Sequence, residues 1–403
     1  MTLLPIHRRL ACIVALHSLA LIPHASFAAD WLQFRGPSAS GVSLDEKAPG
    51  AELKIAWTAE LPGRGLSSPI VVGDKVFVTC SSGPEQASLH VFCFDAKSGK
   101  KQWERVMRAT GRTMSHNKTC VAASTPCSDG KRVFAQYSSN DLFAFDLAGN
   151  LLWLRGLTYD YSNASNSLGM SQSPSVIGGT LVVQSENDSE SFAAGIDVAT
   201  GVNKWKIDRP KAANWSSAIH WQAGGAKPVV ALQSSKGLLG IEPDSGAQVW
   251  NYEDGASTIP SSAIGANAIY AVSHGITALQ PEGKSVSQLW RNEKLNPGTP
   301  SPLVLGEHIY VVNGAGVLIK AAIKDGEELW KLRLKGPFSG SPVAAGNHIY
   351  IASERGDFQV VDTTTKEGSI TQTIPLKESI LSTPAISNGA VYVRSDGKLW
   401  KLE

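Results

Sequence analysis

What most constrains this chain is a unit that returns eight times along it. In the sixth copy Ser301-Pro302 opens a short apolar run that breaks at Gly306-Glu307. Two further apolar runs follow at 309–312 and 317–323, and Asp325-Gly326 leads into a last one ending at Trp330. The opening pair recurs as Ser68-Pro69, Thr125-Pro126, Ser173-Pro174, Ser217-Ala218, Ser262-Ala263, Ser341-Pro342 and Thr383-Pro384. The closing Trp recurs at Trp103, Trp153, Trp205, Trp250 and Trp290, so that neighbouring copies lie 40 to 52 residues apart. Each copy supplies four short strands joined by tight turns, which is the size of one propeller blade.

The two ends of the chain share a blade. The last copy starts at Thr383-Pro384 and stops after three strands, while the segment around Trp57 places a tryptophan where the other copies carry theirs. Pairing the two ends removes strand edges that would otherwise stay open. The seventh copy lacks the Trp, and Ile370 or Ile374 stands nearest its place. The expected fold is all-β: an eight-bladed β-propeller of four-stranded blades, closed by pairing the N-terminal strand with the C-terminal blade. The tryptophans at 57, 103, 153, 205, 250, 290 and 330 are read as structural plates wedged between blades. The Ser and Thr that open each copy form a ring near the channel, where hydroxyls satisfy backbone groups.

Residues 1–28 read as a cleavable export signal, with His7, Arg8 and Arg9 ahead of an apolar stretch and a cleavage point after Ala28. Residues 29–52 then form an N-terminal extension and 53–403 the propeller, in a periplasmic or secreted compartment. Without Arg8 and Arg9 the 37 Lys and Arg become 35, against 35 Asp and Glu. That balance gives no footprint for nucleic acid, and no later stretch is long enough to span a membrane. Four cysteines remain, Cys80, Cys93, Cys120 and Cys127, with three possible pairings. Cys120 with Cys127 is plausible across a loop. If residues 81–88 form a loop, Cys80 faces Leu89 and not Cys93. No CxxC pair or accompanying His suggests a metal site.

The segments from Phe94-Asp95 through Gly99 to Trp103, Ile196-Asp197 through Gly201 to Trp205, and Ile241-Glu242 through Gly246 to Trp250 resemble the repeat of the pyrroloquinoline-quinone-like propellers. The resemblance covers essentially the whole chain after the export signal. The run Trp31-Leu32-Gln33-Phe34-Arg35-Gly36-Pro37 resembles the opening of an exported bacterial subgroup. Related proteins include the propeller lipoprotein of outer-membrane assembly and the quinoprotein dehydrogenases. The chain departs from the first at Cys12, which Arg9 and the position of the apolar run make unlike a lipid-attachment cysteine. It departs from the second in having no adjacent cysteine pair, no motif for a calcium cluster and no CxxCH haem site.

Propeller topology turns loop lengths into geography. Loops between second and third strands share a face with the blade-to-blade connections, and the other turns lie on the opposite face. There the turns are minimal, as at Gly73-Asp74, Asp129-Gly130, Gly178-Gly179, Gly306-Glu307 and Gly346-Asn347, and that face is expected to be plain. The long segments 105–124, 155–172, 184–191 and 207–216 all fall on the first face, over blades one to four. Long loops without secondary structure are where function concentrates. Their polar candidates are His116, Asn117, Lys118, Glu186, Asp188, Glu190, Arg209 and Trp215, beside Tyr159, Asp160, Tyr161, Asn163, Asn187 and Lys211.

These residues suit a binding or scaffold module for a protein or polysaccharide ligand, a monomer with no cofactor or metal and no catalytic residue assigned. A quinone- and calcium-dependent dehydrogenase of alcohols or sugars is the alternative. A polysaccharide hydrolase or lyase using Asp188 and Glu190 as paired carboxylates is a second. Sequence spacing alone assembles no Ser–His–Asp arrangement.

Overall fold

The computed structural model describes residues 30–45, 47–50, 52–164, 168–222 and 227–403; the expected export signal and its cleavage point lie outside them. Eight four-stranded antiparallel sheets span 70–108, 127–156, 175–208, 219–252, 263–292, 303–333, 343–375 and 385–402, numbered here as blades 1 to 8. Blade 8 takes its outer strand from the other end of the chain, with Ile55–Glu60 paired antiparallel to Lys398–Leu402.

Burial explains why each strand has the composition it has. A middle strand is covered on both faces by neighbouring blades, so 76–81 is buried throughout and all but two of those residues are apolar. The outer strand is half solvated and alternates: Trp330 is buried in Glu328–Arg333 while Leu329 is exposed. Most of the core therefore lies between blades. Phe134, Leu142 and Ala144 of blade 2, for instance, pack on Leu181, Val183 and Phe192 of blade 3.

The blade tryptophans fasten each blade to the next. The indole N–H groups of Trp57, Trp103, Trp153, Trp205 and Trp290 donate to the carbonyls of Ala96, Leu147, Val198, Pro243 and Ile323 in the following blade. The ring lies against the turn glycine there. A Cβ at Gly99, whose φ is +71°, would sit 2.6 Å from the Trp57 ring, so no larger residue fits. In blade 7 the equivalent position, opposite Val360, is Gln372 and not Ile370 or Ile374. Gln372 grips the main chain of Leu53 with both ends of its amide, accepting from the N–H and donating to the carbonyl at 2.8 Å each. The seam between the chain's two ends is thus held by hydrogen bonds where other blades use an indole.

The face expected to be plain is not. Residues 30–43 run across it, bridging blade 1 through Trp31 and Val71 and blade 7 through Val42 and Ala344. In blade 4 the first two strands, Ile219–Trp221 and Val229–Ser234, are also seven residues apart in the chain. The long connections are confined to 109–126 and 157–174, the second of which includes a helical turn at Leu157–Asp160. The connection 209–218 is ten residues long, as is 253–262, so the excess lies over blades 1 to 3.

All four cysteines described are unpaired and buried. Cys80 pairs in register with His90 across a loop at 83–87, and Cys93 with Phe77, so neither Leu89 nor Cys93 faces Cys80. Cys120 and Cys127 lie in different clusters of the core. Burial pushes the Cys93 and Cys120 thiols up to about 12 and raises the other two, which keeps all four protonated and inert.

Candidate binding site in the propeller channel

The central channel is a blind shaft. Phe34 forms its floor, held there by the segment that crosses the closed face. The segment is locked by its own residues: Trp31 is buried and its indole packs on Gly36, where φ is +63° and a Cβ would meet the ring at 2.5 Å. Arg35 is fully buried and donates to the main-chain carbonyls of Ser262 and Pro302 in blades 5 and 6. Among the described residues it has no carboxylate partner, and burial lowers its pKa to about 10.

Above Phe34 stands a ring of eight hydroxyls, one from each blade. Each accepts the backbone N–H of the ring residue in the preceding blade: Ser68 donates to Thr125, Thr125 to Ser173, Ser173 to Ser217, Ser217 to Ser261. Ser261 continues to Ser301, Ser301 to Ser341, Ser341 to Thr383, and Thr383 back to Ser68, all at 2.9–3.2 Å. The reading of these hydroxyls as backbone acceptors holds, with one slip of register: Ser261, not Ser262, is the ring member of blade 5. Among the described residues, no hydrogen bond takes up the hydroxyl protons.

A second ring lies two residues earlier on each blade and opens the shaft to the loop-bearing face: Leu66, Ala123, Ser171, Trp215, Ile259, Thr299, Ser339 and Leu381. The shaft holds about 140 Å³, and among the described residues no charged side chain lines it. At its mouth, His116, Lys118, Thr119 and Leu168 join Trp215 and Ile259 around an apolar vestibule of about 350 Å³. Leu168 and Ile259 are 43% and 50% exposed. The loop 109–126 is tethered over this mouth by Lys118 to Glu354 of blade 7 and by Arg64 donating to the Asn117 carbonyl.

The sequence candidates divide sharply. His116, Lys118 and Trp215 border the vestibule, the indole fixed by donation to the Gly169 carbonyl. Asn117 is exposed beside them. Glu186 and Arg209 are buried and pair with each other at 2.7 Å. Asn214 and Gln184 also donate to Glu186, and Arg209 reaches the carbonyls of Leu232 and Gln233. This ion pair braces blade 3 against blade 4 and presents nothing to a ligand. Asp188 is exposed, and Glu190 lies 3.8 Å from Lys206 in a separate cleft with Asp208 and Lys211. Of the others, Asp160 pairs with Arg155, Tyr161 packs on Phe192, and Asn187 is buried in its own loop.

One arrangement escaped sequence reasoning. Ser82, His90 and Glu104 form a relay, Oγ to Nε2 at 2.7 Å and Nδ1 to Oε1 at 2.9 Å. Its members come from three neighbouring strands of blade 1, so only the register 80↔90 and 92↔104 brings them together. Gly63 lies directly on the serine, its would-be Cβ 2.8 Å from the Ser82 Cβ. That leaves no approach for an acyl group from that side, and the relay reads as a brace across the last three strands of blade 1.

No functionally curated protein shows significant sequence similarity to the chain. Among solved structures, BamB from Moraxella catarrhalis superposes with a TM-score of 0.63 at 16% identity, covering 87% of this chain and 98% of that one. A europium-containing methanol dehydrogenase superposes at 0.70 with 12% identity, covering 93% and 98%. The quinohemoprotein alcohol dehydrogenase from Comamonas testosteroni does so at 0.69 with 13% identity, covering 93% and 80%. At these identities the likeness is one of fold. The family described as outer membrane protein assembly factor BamB matches in three consecutive stretches, 48–169, 162–274 and 272–371. Repeat, blade architecture and sequence match agree: the chain belongs to that family of propellers.

Proposed function

We propose that the protein is an exported, monomeric binding or scaffold module that receives its ligand at the open end of the channel. One observation carries this reading. The channel is stoppered at one face and opens at the other into an apolar vestibule bordered by Trp215, Ile259 and Leu168. Exposed apolar side chains gathered at a concavity are the usual mark of a binding surface. Their chemistry favours a partner that inserts an apolar group over a glycan, whose hydroxyls would lie unpaired against them.

The same geometry argues against the quinone cofactor. A tricyclic tricarboxylate needs a larger cavity than 140 Å³, since sites for such molecules begin near ~300 Å³. Its three carboxylates also need cationic side chains in direct contact, and among the described residues none lines the shaft. Among the described residues, no three His, Cys, Asp or Glu side chains converge as metal ligands.

A photoreactive residue placed at Ile259 on the open face and, separately, at Lys324 on the closed one tests the reading. A discrete crosslink from 259, competed by unmodified protein and missing from 324, is expected. A rise in Tm with pyrroloquinoline quinone and calcium, accompanied by dye reduction with an alcohol, would overturn it.

A further inference from the structure

Resting on the reading that ligands enter at the open end, we propose that the shaft holds a carboxylate carried on a short apolar stem. The first argument is hydrogen bonding. Every ring hydroxyl already accepts a backbone N–H and retains its own proton to give. Eight donors converge on this space, and among the described residues none of them donates to a protein acceptor. A carboxylate is acceptor-only, with about four lone-pair directions, and hydrogen bonds to it are roughly twice as strong as neutral ones. An alcohol would fill part of this demand and an ammonium none of it.

The second argument is charge. Two buried guanidiniums lie next to shaft-lining positions, Arg35 beside Phe34 in the chain and Arg394 bonded to Ser67 beside Ser68. Among the described residues neither pairs with a carboxylate. Arg35 lies under the Phe34 floor and is bound to main-chain carbonyls. Arg394, at the blade 8–blade 1 seam, donates to Ser67 Oγ and the carbonyls of Thr79 and Ser395. A buried cation without a counter-charge is costly, and its field falls off slowly where water is excluded. An anion in the shaft relieves that cost, whereas a cation adds to it. The apolar collar selects a monoanion over a phosphate, whose second charge would be desolvated without a partner.

Size and shape complete the case. A cavity of ~150 Å³ holds one small organic molecule such as benzene, so the shaft's 140 Å³ accommodates a carboxylate on a short stem. The stem then lies against Trp215, Ile259 and Leu168 in the vestibule. Such a group occurs on a free aliphatic acid and on the C-terminal residue of a chain ending in an apolar side chain.

Titration calorimetry on the full mature protein tests this with matched probes. Octanoate is set against octan-1-ol and octylamine, and a tripeptide ending in leucine is compared as free acid and as amide. At least one acid should bind about tenfold or more tighter than its neutral counterpart, with no binding of the amine. A tenfold preference for the peptide acid assigns the site to chain termini, and the reverse to free acids; both support the proposal. Ile259→Asp, at a position exposed enough to keep the fold, should weaken the preferred acid at least about tenfold by placing a like charge at the mouth. Trp215→Ala, checked by circular dichroism, should weaken it through loss of stem contact. Equal binding of acid and neutral probe, no binding of either acid, or an Ile259→Asp variant of unchanged affinity would overturn it. If Ile259 crosslinks a partner while no acid binds, this proposal fails and the binding-module reading stands; if neither occurs, both fail.

Discussion

The two ends of one channel are built from different materials. The closed end is made of main chain: Trp31 bridges Val71, Arg35 holds two carbonyls, and Gly36 lies flat on an indole. The open end is made of side chains, several of them apolar and exposed, under a long loop tethered by a surface ion pair and a hydrogen bond from Arg64. Main-chain bonding fixes a geometry once and tolerates little change. A side-chain rim can be altered at small cost to the fold, because its contacts are with solvent. The difference teaches where to look for specificity in a propeller whose blades are otherwise alike.

Substitutions at the two ends should therefore separate. Trp31→Ala removes a fully buried indole from the stopper and should lower stability by about 3–5 kcal/mol, read as a shift in the urea midpoint. If the loss is under ~1 kcal/mol, the segment is an ornament and the channel's closed end is not structural. Beneath the open face, Glu186→Ala leaves Arg209 buried and unpaired and should cost about 3 kcal/mol. Its neighbour Asp188→Ala should stay within ~0.5 kcal/mol, and equal costs would erase the distinction drawn between them.

A pH series sharpens the closed end further. His220 sits there beside Ser38, its Nε2 has no partner among the described residues, and burial lowers its pKa to about 4. The folded protein keeps this imidazole neutral while the unfolded chain takes up a proton near the ordinary value of 6.5. Stability should fall as the pH drops from about 6.5 to about 4, and His220→Gln should flatten that slope. An unchanged slope would show that His220 is solvated in the fold. The smallest effect is expected at the rim, where Ile259→Ser should leave Tm within the ~0.5 kcal/mol scatter of surface changes.

Much of this was legible in the residues. A repeat with registered Ser/Thr and Trp positions fixes blade count, strand order and the closing strand, because each blade buries its faces only against copies of itself. The slip at Ser262 arose because Ser261-Ser262 offers two hydroxyls and no proline to mark the register. Gln372 was passed over because a search for an apolar plate does not see an amide grip. Glu186 and Arg209 read as ligand-face candidates, since 23 residues of separation hide a buried pair that only the packing of blade 3 on blade 4 creates. The motif from Trp31 to Pro37 carried a usable signal: a tryptophan five residues before a glycine, in a stretch otherwise taken for an extension. Nothing local says that it closes a channel and bonds to carbonyls more than 200 positions away.

The ring of hydroxyls has no first member. Because each blade's donor is answered by the next blade's oxygen, the inner rim works as a counting rule that every unit satisfies in the same way. A whole unit could be duplicated or lost and the circle could still close on the same bond. Half a unit could not be, since it would leave a buried N–H facing empty space. The rim thus sets what may be copied, while the loops above it remain free to lengthen over three blades and stay short over the rest.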